Sequence, residues 1–99
     1  MSFVVTVVFV AKPEFRAQFR EAMIENAQAS RTREPGCRQF DVCESADDAQ
    51  IFLYEIYDDE AAFRAHCRSA HFHAFDSAAR DLCETKTVQR HALASEGSG

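Results

Sequence analysis

Between Phe3 and Val10 every position but Thr6 is apolar, with Phe3, Val5, Val7 and Phe9 on one side of an extended chain and Val4, Val8 and Val10 on the other. The β-branched content predicts a strand that buries both faces. Lys12 and Pro13 end it, and Pro13 suits the first turn of a helix. From Glu14 to about Ser30 the apolar positions Phe15, Phe19, Ala22, Met23 and Ala27 recur at helical spacing, while Glu14, Arg20, Glu21 and Glu25 fall elsewhere. Asn26 and Ser30 lie inside the apolar stripe and therefore need partners, since an unsatisfied buried polar group costs about 1 to 3 kcal/mol.

Glu34, Pro35 and Gly36 read as a turn, Cys37 to Glu44 as a second strand and Ser45 to Gln50 as a hairpin loop. Ile51 to Tyr57 is a third strand, with Ile51, Leu53 and Tyr57 on one face, interrupted by Glu55, and Phe52, Tyr54 and Ile56 on the other. Asp58 or Asp59 can cap a helix through Ala62, Phe63, His66 and Cys67. Ser69 and Ala70 mark a kink, after which His71, Phe72, Phe75, Ala79 and Leu82 continue at helical spacing. Glu84 to Leu93 is a fourth, more solvated strand, and 94–99 is a polar tail.

Strand, helix, strand, strand, helix, strand is the order of a ferredoxin-like split βαβ fold of the α+β class, one domain over 2–93. Both helices then pack on one face of an antiparallel sheet. The other face would carry more large apolar side chains than a monomer usually exposes, so a homodimer through the sheet face, a dimeric α+β barrel, is expected.

Composition narrows the function. With 46% hydrophobic and 27% charged residues the chain reads as an ordinary globular domain. A net charge of -5 and singly scattered basic residues offer no track for nucleic acid and no attraction to an anionic membrane. The longest apolar run is far short of a bilayer span and lacks the flanks of a secretory signal, so a cytoplasmic location is expected. There the four cysteines, Cys37, Cys43, Cys67 and Cys83, are expected as free thiols. No metal is expected either: His66 and Cys67 diverge by about 100° on a helix, and no CxxC or HExxH spacing is present.

The runs EPGCRQFDV from Glu34 to Val42 and FLYEIYDDEAAF from Phe52 to Phe63, followed by His66 and by Ser69-Ala70-His71-Phe72, resemble the antibiotic biosynthesis monooxygenase (ABM) family over nearly the whole chain. Members are dimeric α+β barrels with a cavity between sheet and helices. Some are quinol or anthrone monooxygenases without metal or flavin, some degrade haem, and one branch isomerises a phosphorylated signal. The resemblance implies that Asn26, Tyr54, His66, His71 and Phe72 line the cavity. Ala27 stands where the isomerase branch carries the His of an Asn-His pair, and Ser69-Ala70-His71 replaces the usual Ser-Pro-His. A haem pocket with Trp is not suggested, because Trp is absent.

A cofactor-free oxygenase needs a base of near-neutral pKa, hydrogen bonds that hold the substrate anion, and a dry aromatic pocket. His66 or His71 can be the base, with Asn26 a further catalytic candidate. Asn26 and Tyr54 can hold the anion, Phe72 with some of the nine Phe residues can wall the pocket, and Ser30 is a further substrate-binding candidate. A small aromatic substrate and dioxygen are the expected partners. Two other readings are an isomerase of a phosphorylated hydroxyketone, using Arg64, Arg68 or Lys86 for the phosphate, and a dimeric binding module without turnover.

Overall fold

A computed structural model describes residues 1–46 and 50–97. Strand β1 (Phe3–Ala11) is followed by a 3-10 turn (Pro13–Phe15), helix α1 (Arg16–Arg33), strands β2 (Cys37–Glu44) and β3 (Gln50–Tyr57), helices α2 (Glu60–Cys67) and α3 (Ala70–Leu82), and strand β4 (Cys83–Ala92). The strands form one antiparallel sheet in the order β2-β3-β1-β4. This is the split βαβ arrangement read from the sequence. The expected loop at 45–50 lies partly outside the described residues, as does the end of the polar tail.

Period-two alternation sorts the sheet's faces. Val5, Val7 and Phe9 of β1 and Ile51, Leu53, Glu55 and Tyr57 of β3 are buried toward the helices. Thr6, Val8, Val10, Tyr54 and Ile56 are only half-buried on the helix-free face, and Phe52 is 38% exposed there. Edge strand β4 is nearly bare, with Val88 42% exposed, because the helices sit over the other three strands.

On α1 the buried residues Phe19, Met23, Asn26, Ala27 and Ser30 form one stripe. Phe9, Phe19 and Phe75 meet edge to face, with Phe9 and Phe19 centroids 4.9 Å apart. These pairings knit β1, α1 and α3 into the core. The expected kink at Ser69 is a break between two helices: Asp59 caps α2 by accepting from the Ala62 N–H at 2.8 Å, and Ser69 caps α3 by accepting from the Phe72 N–H at 3.2 Å.

Gly36 fixes where α2 lies. A Cβ on it would come within 2.6 Å of Ala62 Cβ, so only glycine lets the start of β2 approach α2 this closely. The Asp58 N–H donates to the Gly36 carbonyl at 2.9 Å, which holds the same junction from the β3 side.

Candidate active site

The site grows from the end of α1. Asn26, Ser30 and Glu34 follow one another at four-residue intervals and stand on one face of the helix, with Glu34 at its C-terminal cap, its N–H donating to the Ser30 carbonyl at 3.1 Å. This polar row faces the break between α2 and α3, where the two helices deliver His66 and His71.

Glu34 Oε2 lies 2.8 Å from His66 Nδ1 and also contacts His71 Nε2. Ser30 Oγ lies 3.5 Å from His66 Nδ1, and Ser69 Oγ 3.2 Å from His71 Nε2. One carboxylate oxygen thus joins two imidazoles carried by different helices. Burial alone would raise the Glu34 pKa, but the hydrogen bonds and positive charge available from His66, and then from His71, outweigh it and hold the carboxyl below its usual range.

With Nδ1 engaged by a carboxylate, the neutral His66 ring carries its proton on Nδ1 and keeps Nε2 as the basic nitrogen. Among the described residues Nε2 makes no hydrogen bond. The ring is surrounded by Phe72 (5.1 Å between centroids), Tyr57 (5.4 Å), Phe40 (5.9 Å) and Phe63 (6.2 Å).

His66 borders a cavity of about 180 Å³ between sheet and helices, together with Val7, Leu53, Phe40, Phe63, Phe72 and Asn26. Asn26 is 5% exposed, and among the described residues its Oδ1 has no hydrogen-bond partner, so a residue bordering the cavity carries a buried carbonyl oxygen able to accept. Glu55 borders the cavity as well. It accepts from the Tyr57 hydroxyl at 2.5 Å, and burial first of all pushes its carboxyl above the usual range against that bond. The Tyr57 hydroxyl is driven up in turn, by its own burial and by the Glu55 charge.

Asn26, His66 and Phe72 therefore come together as the resemblance implied, and three other expectations need correction. Tyr54 does not reach the cavity: it occupies the helix-free face opposite Thr6 and Asp41, because the buried set of β3 is Ile51, Leu53, Glu55 and Tyr57. His71 stands one layer out, lining a groove of about 470 Å³ between α1 and α3 that Asn26 also borders, and it meets the site through Glu34 and through the His66 ring, 5.9 Å between centroids. Ser30 is fully buried behind the His66 ring and meets the imidazole rather than the cavity.

Glu34 is the residue the sequence reading passed over. In sequence it reads as part of a turn with Pro35 and Gly36, although it continues the row of Asn26 and Ser30. Glu34, His66 and His71 also offer three ligand atoms within 4.8 Å of one another, a set of the type that can bind a divalent transition metal. The contacts between Glu34 Oε2 and the two ring nitrogens are those of hydrogen bonds. An ion bonded at about 2.0 to 2.2 Å to each ligand would require the carboxylate to draw back.

Comparison with known proteins agrees with this architecture. The family model for antibiotic biosynthesis monooxygenase matches residues 2–78. A Mycobacterium tuberculosis protein, Rv0793, named provisionally as a monooxygenase, is 36% identical over 67 residues, which span 65% of this chain and 62% of that relative's length. Its solved structure superposes with a TM-score of 0.92 at 27% identity, covering 99% of this chain and 100% of that one. A Nitrosomonas europaea structure provisionally assigned to the same family gives 0.87 at 29% identity, covering 94% and 99%. With its split βαβ sheet and a family match running from β1 into α3, the chain belongs to the antibiotic biosynthesis monooxygenase family.

Proposed function

We propose that the protein is a cofactor-independent monooxygenase that oxidises a small aromatic quinol or anthrone with dioxygen. One observation supports this above the rest: Glu34 engages Nδ1 of His66 and leaves Nε2 as a base beside an aromatic cavity.

In this reading His66 Nε2 removes a proton from the substrate, and Glu34 stabilises the imidazolium that forms. The Asn26 side chain hydrogen-bonds the substrate hydroxyl and holds the ring in place. The electron-rich anion passes one electron to dioxygen, giving a substrate radical and superoxide. These recombine in a C–O bond to form a peroxide. His66 returns its proton to the distal oxygen as the O–O bond breaks; the carbon loses its remaining hydrogen as a proton, water departs, and a carbonyl remains. For an anthrone the sum is one dioxygen consumed, one oxygen atom retained and one water released. Phe40, Phe63 and Phe72 keep bulk water from the anion, which lowers the cost of transferring charge within the cavity.

A homodimer through the helix-free sheet face belongs to the same proposal. Val8, Val10, Phe52, Tyr54 and Ile56 form its apolar centre, and a second copy would take them from water. The experiment for the enzymatic proposal is oxygen uptake with a panel of hydroquinones and anthrones, comparing the wild type with His66→Ala. Uptake by the wild type that the variant lacks supports it, and proton exchange without oxygen uptake would favour the isomerase instead.

A further inference from the structure

The cavity has a mouth whose charge opposes that of the whole chain. The protein carries 11 basic and 16 acidic residues, yet Lys86 and Arg90 border the cavity from β4, and Arg64 and Arg68 stand with Arg90 and Glu60 around the hollow next to it. Lys86 and Arg90 stand two register steps from Val88 on either side, on the face of β4 turned toward the helices. Arg90 also lines a groove of about 330 Å³ shared with Arg64 and Arg68, and Phe63 and Cys67 border both hollows.

The commitments of these cations differ. Arg64 is paired with Glu60 at 3.1 Å, and Lys86 reaches Asp76 at 3.4 Å while lying over the Phe9 and Phe72 rings. Among the described residues the guanidinium groups of Arg68 and Arg90 make no hydrogen bond or ion pair, and Arg90 lies over the Phe63 ring at 5.5 Å. An arginine spread on an aromatic wall is held in place with its N–H edge free for an acceptor. The acidic group facing this region from the sheet is Glu55, in the same row as Arg90 and two strands away, or about 10 Å.

We infer that the mouth is an anion subsite formed by Arg68 and Arg90, so that the substrate is an aromatic compound carrying an anionic group such as a carboxylate or phosphate. The ring would sit among Phe40, Phe63 and Phe72 beside His66, and the anionic group would reach the guanidinium edges at the β4 rim. Charge-assisted hydrogen bonds there orient the ring as well as hold it. The inference rests on the aromatic cavity being the substrate site, but not on oxygen chemistry taking place in it.

The test is therefore binding, kept separate from turnover. Calorimetric titration of the full chain with 4-hydroxybenzoate, phenyl phosphate and uncharged 4-hydroxybenzamide reads the charge preference directly. The inference predicts that at least one of the anions binds about tenfold more tightly than the amide at low salt, an advantage that shrinks as salt is added. In the Arg68→Gln/Arg90→Gln double variant, whose changes lie at exposed positions, that preference disappears while amide binding stays within about twofold. Equal binding of acid and amide, or a preference that survives the double substitution, overturns it. Absence of oxygen uptake with any quinol would count against the enzymatic proposal and leave this titration intact.

Discussion

The carboxylate of Glu34 meets Nδ1 of His66 at 2.8 Å across 32 residues of sequence, with both side chains shielded from solvent. A buried carboxylate on one ring nitrogen fixes the tautomer, leaves the other nitrogen as the basic one, and stabilises the ring once it gains a proton. Glu34→Gln keeps the size of the side chain and removes the charge. On the proposed mechanism it should lower kcat by about tenfold or more with a smaller change in KM, because the carboxylate acts on the base and not on the bound ring. Steady-state kinetics on a quinol that the wild type oxidises would check this; an unchanged kcat would remove Glu34 from the mechanism.

The two carboxyls near His66 predict opposite slopes in stability against pH. Glu34 is held below its ordinary value of 4.5 in the folded state, so the stability it contributes is present above that value and is lost as the pH falls through the folded pKa. Glu55 is raised, so the folded protein binds more protons than the unfolded chain above pH 4.5, and this group's contribution declines as the pH rises toward its folded pKa. Thermal unfolding followed from pH 3 to 8 should show Glu34→Gln flattening the acid limb. Glu55→Gln, which retains an acceptor for the Tyr57 hydroxyl, should flatten the limb above about pH 4.5 and raise Tm at neutral pH.

Gly36→Ala should cost about 1 to 3 kcal/mol, since its new methyl would come within 2.6 Å of Ala62 Cβ and force β2 and α2 apart. Because that junction positions α2, the loss in stability should be accompanied by a change at His66. Denaturant unfolding measures the first and the His66 ring resonances by NMR the second. A stability equal to wild type would show that α2 moves away freely.

These residues also show how far the sequence could be read. The double-sided apolar pattern of β1 and the helical spacing from Phe19 to Ala27 expressed local geometry and burial, so the strand and helix order was legible. Asn26 and His66 could be picked out because a polar residue inside an apolar stripe is conspicuous. Glu34 was hidden: next to Pro35 and Gly36 it has the character of a turn, and its role arises only where α1 ends against the break between α2 and α3. The alternation of β3 does put Tyr54 on the face opposite Leu53 and Tyr57; which face turns toward the helices is not written in that alternation, and the cavity role that the resemblance implied for Tyr54 fails because the inward position falls to Glu55. A single arginine in a solvated strand carries no local signal, and Arg90 matters only through the two hollows it borders.

The helix-free face yields a prediction of its own. Tyr54→Arg places a charge at the centre of the apolar patch while leaving the buried side of β3 untouched. If two copies meet there, sedimentation should find a dimer for the wild type and a monomer for Tyr54→Arg, with the same far-ultraviolet circular dichroism. A wild type that sediments as a monomer at micromolar concentration would mean that the sheet face is not a self-association surface.

The most direct test of the whole account is oxygen consumption by metal-free protein supplied with an anthrone or hydroquinone, measured beside His66→Ala. The account predicts turnover above the uncatalysed rate, with kcat reduced by about 10² to 10⁴ in the variant while circular dichroism stays the same. A His66→Ala protein that is folded and oxidises the substrate as fast as the wild type would contradict it.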